Sequence, residues 1–378
     1  APHFMPATHH MVAAHRLINI NQDMITFKSP QSQPPENQRW TFNVVEDWNT
    51  YGWPIEHIRL ERYTNGELDY LDVMYFANGY ESLNVRFPEA LQMEESFVAG
   101  LPILYAPERE KALVLGSGMG ISAGFIGTYF NSADLVDLSP DAESLLNYYS
   151  NINYQALDKV TLHKKDALTY VLNQKKNNNK YDYILSAVSG AGYTFSAMLY
   201  TKEFFQSASE ILDEDGIYGI WMTGRSFNKR SADIYAALRN VFPYIRTMTI
   251  YKNYLPNQNN NLYDQYHVLA ASKKPLKLHA TSEEKLVKHI SQLDEKAYRA
   301  YYGENASTQI SQNGKTPSLL EKILNPREIN AERGAGTPSR MAHLKFAYDY
   351  NLYYEKLENW IAEAKNSVRK DPAKDLEE

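Results

Sequence analysis

Between Lys111 and about Ser272 the chain alternates short apolar runs with segments that can be helical, and this constrains its fold more than any other feature. The series runs "KALVLGSG", "ADLVDLSP", "VTLHKKDALTYVLNQ", "YDYILSAV" and "GIYGIWMTG". Such alternation predicts a parallel sheet with helices on both faces. Its end differs: "IRTMTIYKNYLPNQNNNLYDQYHVLAAS" reads as two strands joined by an Asn-rich turn, an antiparallel hairpin at the sheet edge.

The flanks carry other patterns. Residues 1–40, rich in Pro, Gln and His, show no sustained period and read as an arm. From 41 to 105 short β-rich runs are separated by Asn65-Gly66 and Asn78-Gly79, dipeptides that tolerate the positive φ of tight hairpin turns, so a small antiparallel sheet and a linking helix are expected. The nucleoside-binding unit follows over 106–275 and a helical extension over 276–378. In that extension Thr281 and Glu284 have capping-box spacing, and Leu286, Ile290, Leu293, Ala297 and Tyr301 share one helical face. "TPSLLEKI" and "TPSRMAHL" each place Thr as N-cap before Pro, and "AYDYNLYYEKLENWIAEAK" is aromatic on one side and charged on the other, suiting a helical cap or an oligomer contact.

Composition removes several functions. A net charge of −6 over 378 residues lacks the basic field that general nucleic-acid binding requires. The absence of cysteine rules out thiolate nucleophiles and disulfides, and no apolar run is long enough to span a bilayer. Four of the ten histidines, His3, His9, His10 and His15, crowd the first fifteen residues. Such clusters bind zinc or copper when carboxylates accompany them at matching spacing. None does here, so a partner-facing arm is expected and no metal; His267 in "YHVLAAS" reads as a packed strand residue. The chain starts "APHFMPATHH" without Met, which suggests a processed form or a piece of a longer protein.

"LVLGSGMGISAG" places Gly116, Ser117, Gly118 and Gly120 between an apolar strand and a helix-compatible segment. Glycines let a ligand approach the backbone, and a helix N-terminus offers free N–H groups; the same run also serves as a plain structural turn. Seventeen residues past Gly120 comes Asp137, with Leu138 after it, where an acid accepts from both ribose hydroxyls or, alternatively, caps the next helix. The spacing is G-x-G-x-G, with Ile121 where a dinucleotide loop has its last glycine, which favours a methionine-derived nucleoside over NAD. Asp166, before Ala167 in "HKKDALTY", lies at the end of the fourth strand region, placed to accept from an adenine amino group, to cap a helix, or both.

These residues resemble the spermidine synthase-like proteins, aminopropyltransferases on the class I methyltransferase fold, and most closely those whose synthase-like domain follows a membrane-embedded segment. The resemblance covers Phe76 to Pro275: "FANGYESL", "EESFVAGLPILYAPEREKALVLGSGMGISAG", "VDLSPDAESL", "KDALTYV", "YDYILSAVSGAGYTFSAMLYTKEFF" and "LDEDGIYGIWM". It implies an α/β fold: a Rossmann-like methyltransferase sheet with an antiparallel C-terminal hairpin, a small antiparallel β domain before it and a helical extension after it. It also implies a pocket for S-adenosylmethionine, its decarboxylated form or methylthioadenosine, held by Gly116, Gly118, Gly120, Asp137 and Asp166, with Ser117, Leu138, Ala167 and Ser186 beside them. A nucleoside of this kind is cytosolic, so a cytoplasmic location, at the membrane face, is expected. A small-molecule substrate, an amine among the candidates, a second copy of the chain and a membrane-associated partner are the partners implied.

The departures fall on the amine side. Where the family carries D-S-S-D-P, this chain has Ala187 and Gly190, neither able to take a proton, with Ser189 and Tyr193 nearby. The family's Tyr-Gln pair falls on Glu94 and Glu95, and its His before Leu-Pro on Gly100. Glu94 and Glu95 are the candidate catalytic acids, as base or as anchor for a cationic substrate, against a plain reading as solvated charges. Glu203 at a helix start is explained by the helix dipole, and Tyr193 and Tyr200 carry little weight among 29 tyrosines. Three functions follow: a transferase acting on an acceptor other than putrescine, a small-molecule or protein methyltransferase, and a non-catalytic nucleoside-binding module.

Overall fold

Hairpin chemistry shapes the first part of the chain. A computed structural model describes residues 38–50, 53–76, 80–84, 88–188, 194–223, 229–251, 265–278 and 280–302. Strands β1 (Gln38–Thr50), β2 (Trp53–Thr64), β3 (Glu67–Phe76) and β4 (Tyr80–Asn84) form an antiparallel sheet in that order. Asn65 and Gly66, both at positive φ (53° and 84°), make the two-residue turn between the paired Thr64 and Glu67, as the dipeptide predicts. Asn78-Gly79, the histidines of the arm and the helices expected beyond Tyr302 lie outside the described residues.

Helix α1 (Pro88–Ile103) opens on proline, which loses no hydrogen bond in a first turn, and leads into the main sheet. Its strands are β5 (Lys111–Leu115), β6 (Ser132–Asp137), β7 (Thr161–Lys164), β8 (Tyr181–Ser186), β9 (Leu212–Thr223), β10 (Tyr244–Tyr251) and β11 (Gln265–Ser272). They lie in the order β10-β11-β9-β8-β5-β6-β7. β5 to β9 run parallel, and β11 is antiparallel to both β9 and β10, the edge hairpin expected from the sequence. Strand order reverses between β5 and β8, which opens a crevice at their carboxyl ends.

Both faces are covered because the parallel strands are apolar on both sides. On one face α1, α2 (Ile121–Tyr129) and α8 (Ala280–Tyr302) bring Phe97, Phe125, Leu286 and Ile290 onto Val114, Leu135 and Leu185. On the other, α4 (Ala167–Lys176), α6 (Lys202–Glu210) and α7 (Lys229–Arg239) bring Tyr170, Phe204, Phe205 and Leu238 onto Leu113, Ile184 and Tyr218. The short α3 (Ala142–Tyr148) and α5 (Thr194–Ala197) complete the set. The small sheet joins this body through Trp48 and Ile55, which pack on Met119, Ile121, Leu145 and Tyr149, while Tyr149 Oη lies 3.1 Å from His57 Nδ1.

Two boundaries correct the sequence reading. Asp166 follows β7, the third parallel strand, and β8 is the fourth. Helix α8 already includes Ala280, so Thr281 lies inside it and not at its cap; the helix is held by burial of Leu286, Ile290 and Leu293, which needs no capping box. No helix among the described residues is long and apolar enough to cross a membrane.

One buried side chain ties the loops on the β5–β6 side together. Asn153 donates from Nδ2 to the carbonyls of Met119 (2.9 Å) and Leu146 (2.8 Å), and its Oδ1 accepts from Ala156 N (3.1 Å). It is fully buried, so Asn153→Leu strands three backbone groups away from water; a loss of about 3 to 5 kcal/mol in urea unfolding is expected, and a loss below about 1 would contradict this role. A second expectation concerns α8. The His289 ring stacks on Phe125 (5.2 Å between centroids) and its Nδ1 lies 2.7 Å from Tyr129 Oη. Burial, with Lys159 and Lys285, pushes the imidazole pKa below its usual 6.5, while burial raises the Tyr129 phenol to about 12, so a neutral imidazole accepts from the phenol. A depressed histidine pKa makes stability present at neutral pH and lost as pH falls below about 6.5. Protection factors in α8, with exchange corrected for its intrinsic pH dependence, should therefore fall between pH 7 and 5.5, and His289→Phe should flatten that dependence; an equal fall in both proteins would refute the assignment.

Candidate functional site

The crevice is floored by the loop after β5. Gly116, Gly118 and Gly120 all have positive φ (91°, 48° and 85°), a region that costs side-chain-bearing residues strain. At Gly116 there is a second reason for glycine: an added Cβ would sit 3.0 Å from Val188 Cγ2 and 3.2 Å from Val188 N. The β5 and β8 loops thus touch where the strand order reverses. Gly116 N donates to Val136 O (2.8 Å) and Ala187 N to Leu115 O (2.9 Å), which holds both loops in register with their strands. Gly120 is the N-cap of α2 and, having no side chain, caps none of the helix's first N–H groups.

Asp137 ends β6 and underpins this loop. Its Oδ2 accepts from Ser117 N (2.6 Å) and Ser117 Oγ (2.7 Å), and its Oδ1 accepts from Ser139 N (2.7 Å). Asp137 therefore does not cap the following helix, whose N-cap is Asp141. Hydrogen bonds to a charged group contribute roughly 1.5 to 3 kcal/mol each, so these contacts fix the loop's path over β6. A carboxylate oxygen accepts two bonds, so Oδ1 retains capacity for one hydroxyl. Leu138 beside it is 46% exposed, an apolar surface at the lip of the crevice.

The remaining sequence candidates divide. Asp166 caps α4, accepting from Thr169 N (2.8 Å), and is half-buried at the end of β7, with Ala167 packed beneath it. Glu94 and Glu95 are half-buried on α1, and Glu95 reaches the glycine loop's helix: Ser122 Oγ donates to its Oε2 (2.9 Å) and its backbone O (3.0 Å). Ala187 is half-buried at the tip of β8. Ser186 is turned the other way, fully buried beside Tyr218, whose phenol burial raises well above its usual pKa. Tyr200 donates to Val188 O (2.6 Å) and so braces the β8 loop from below. Ser189, Gly190 and Tyr193 lie outside the described residues. Sequence reading missed Asn153, Ser122 and Val188; only Asn153 left a trace, a lone polar residue between Ile152 and Tyr154 where the chain turns back to the sheet.

Among the described residues no group of three or more His, Asp and Glu side chains could hold a metal ion. Asp166, Asp137 and the glycine loop follow in that order at the carboxyl ends of β7, β6 and β5, and Glu95 on α1 bonds the helix that the loop opens onto. That set suits a neutral sugar and base joined to a cationic group better than a phosphate, which acids would repel.

Comparison with known proteins agrees with this layout. Residues 91–276 match the model of the spermine/spermidine synthase domain family. Polyamine aminopropyltransferase 2 of Aquifex aeolicus is 28% identical over 184 residues, 47% of this chain and 35% of that protein, so the match spans about a third of that relative's length. Among solved structures, a spermidine synthase in complex with the transition-state analogue AdoDATO superposes with a TM-score of 0.53 at 16% identity, over 76% of this chain and 100% of that one. Spermidine synthase from Thermotoga maritima gives 0.51, also at 16% identity, over 77% and 99%. Identities this low speak for the fold alone, a Rossmann-like sheet; over residues 91–276 the chain is similar to the spermine/spermidine synthase domain.

Proposed function

We propose that this domain binds a sulfonium nucleoside of the S-adenosylmethionine type, including its decarboxylated form and the product methylthioadenosine, and transfers a group from sulfur to an acceptor other than putrescine. The observation that carries the reading is the glycine loop pinned by Asp137 at the β5–β8 crevice. Asp137 and the loop amides are to hold the ribose, Asp166 the base, and Leu138 to flank it. Ser186, fully buried at the end of β8, borders the site from below. The complex of a similarly folded spermidine synthase with AdoDATO supports a nucleoside in this place.

In the transfer, the acceptor's lone pair forms a bond to a carbon next to sulfur, the carbon–sulfur pair returns to sulfur as a thioether, and an amine acceptor sheds a proton. Ala187 cannot accept that proton. A missing general base forfeits roughly 10²- to 10⁴-fold in rate, unless Glu94 or Glu95 takes its place. The neutral tip of β8 equally favours a second reading, methyl transfer, in which alignment of a reactive sulfonium supplies much of the acceleration.

Calorimetric titration of the full chain with methylthioadenosine tests the binding reading. Binding below millimolar Kd is expected, with Asp137→Ala weakening it by about 1 to 3 kcal/mol, and no heat from any sulfonium nucleoside would overturn it. Putrescine with decarboxylated S-adenosylmethionine should release little methylthioadenosine; brisk putrescine-dependent release would show that Ala187 does not matter.

A further inference from the structure

After α3 the chain reverses through two strained residues. Tyr154 and Gln155 are adjacent, neither is glycine, and both hold positive φ (61° and 55°), where Cβ crowds the backbone. A bulky residue stays in that region only while its surroundings hold it there.

Helix α1 supplies two of the holds. Gln92 Nε2 donates to Ile152 O (2.8 Å), and the Tyr154 phenol lies 2.7 Å from Ser96 Oγ. Ser96 Oγ gives its own proton to Gln92 O (2.6 Å), so the phenol is the donor of the pair. Burial lifts the phenol's pKa to about 12, which keeps that proton in place. The Tyr154 ring packs on Phe125 and His289 (5.7 and 6.0 Å between centroids), in the layer of α1, α2 and α8. A third hold comes from α2: Asn153 O is seated where a Cβ added at Gly124 would lie 1.9 Å from it. From this clamped turn Asn153 Nδ2 reaches the glycine loop at Met119 O (2.9 Å).

We propose that the Tyr154–Gln155 turn and the glycine loop open and close as one unit, with Tyr154 as the positioning residue. The phenol's bond to α1 keeps both strained residues from relaxing to negative φ. While it is made, Asn153 stays on Met119 O and the loop keeps the path that Asp137 supports from its other side. When it is lost, the turn relaxes, Asn153 leaves Met119 and the loop is freed. The coupling is reciprocal, so a nucleoside on the loop, which rests on the reading proposed above, tightens a turn held in a different layer.

The test is hydrogen exchange of the full chain, read by mass spectrometry, in the peptide spanning the glycine loop and the peptide spanning Ile152 to Leu157. Wild type, Tyr154→Phe, Ser96→Ala, Gln155→Gly and the double variant Tyr154→Phe/Gln155→Gly are compared, each with and without methylthioadenosine. Tyr154→Phe keeps the ring and the strain but loses the bond, and should speed exchange in both peptides together by about two- to tenfold, the scale of one hydrogen bond. Ser96→Ala removes the same bond from the other side and decides the matter if Tyr154→Phe does not fold. Gln155→Gly accepts positive φ freely, so it should slow both peptides and, in the double variant, return both towards wild type. Peptides of β9 and β11 should stay within about twofold throughout, because the opening is local. Methylthioadenosine at ten times its Kd should slow loop and turn alike by about tenfold. A loop that keeps its wild-type rate while the turn quickens, a change shared by β9 and β11, or a double variant no slower than Tyr154→Phe overturns the role of Tyr154. If methylthioadenosine slows the loop but not the turn, the nucleoside reading stands and the coupling falls. If it slows neither and gives no heat, the nucleoside reading falls, and the ligand-free rates still decide whether loop and turn move together.

Discussion

Three residues in five, Gly116, Gly118 and Gly120, hold positive φ, and a backbone path of that kind persists only when its surroundings fix it. Two side chains do so from opposite sides. Asp137 grips the loop at Ser117 from the end of β6, and Asn153 grips it at Met119 from the turn after α3. Both depend on the parallel pairing of β5 with β6, which sets the end of one strand beside the start of the other's loop. The crevice at the β5–β8 reversal, the first turn of α2 and the position of Glu95 all follow from that path.

The small sheet and α8 work on the same element from further away. Trp48 and Ile55 close the apolar wall around Met119 and Ile121, and α8 covers α1 and α2 through Leu286, Ile290 and the His289 contacts. Burying side chains of this size contributes roughly 1.5 to 3 kcal/mol each, so the helices that carry Glu95 and Ser122 are held by packing and not by the site's own hydrogen bonds.

Much of this was legible beforehand. Strand–helix alternation, the Asn65-Gly66 turn and the closing hairpin are local signals, and the structure has the parallel strands, the turn and the antiparallel hairpin they imply. The glycine loop and Asp137 were legible because loop and acid lie within one strand–helix–strand unit. Facing was harder: Ser186 lies at the expected strand end, yet the alternation of side chains across β8 turns it into the core beside Tyr218. Asn153 and Ser122 act on partners set by tertiary packing, 34 and 27 residues away, and no spacing rule in the sequence joins them. The two carboxylates on α1 were visible as residues, but only the fold separates Glu95, tied to the loop's helix, from its neighbour.

The chain thus combines a glycine loop pinned by Asp137 and Asn153 with a neutral β8 tip at Ala187, the arrangement on which the proposed nucleoside site rests. A crystal structure of the chain soaked with methylthioadenosine tests that arrangement most directly. The account expects the base at Asp166, a ribose hydroxyl on Asp137, and the thioether sulfur over Gly116–Gly118, pointing between Glu95 and Ala187. Density for the nucleoside anywhere else, with the glycine loop empty and Asp137 bonded only to Ser117 and Ser139, would contradict it.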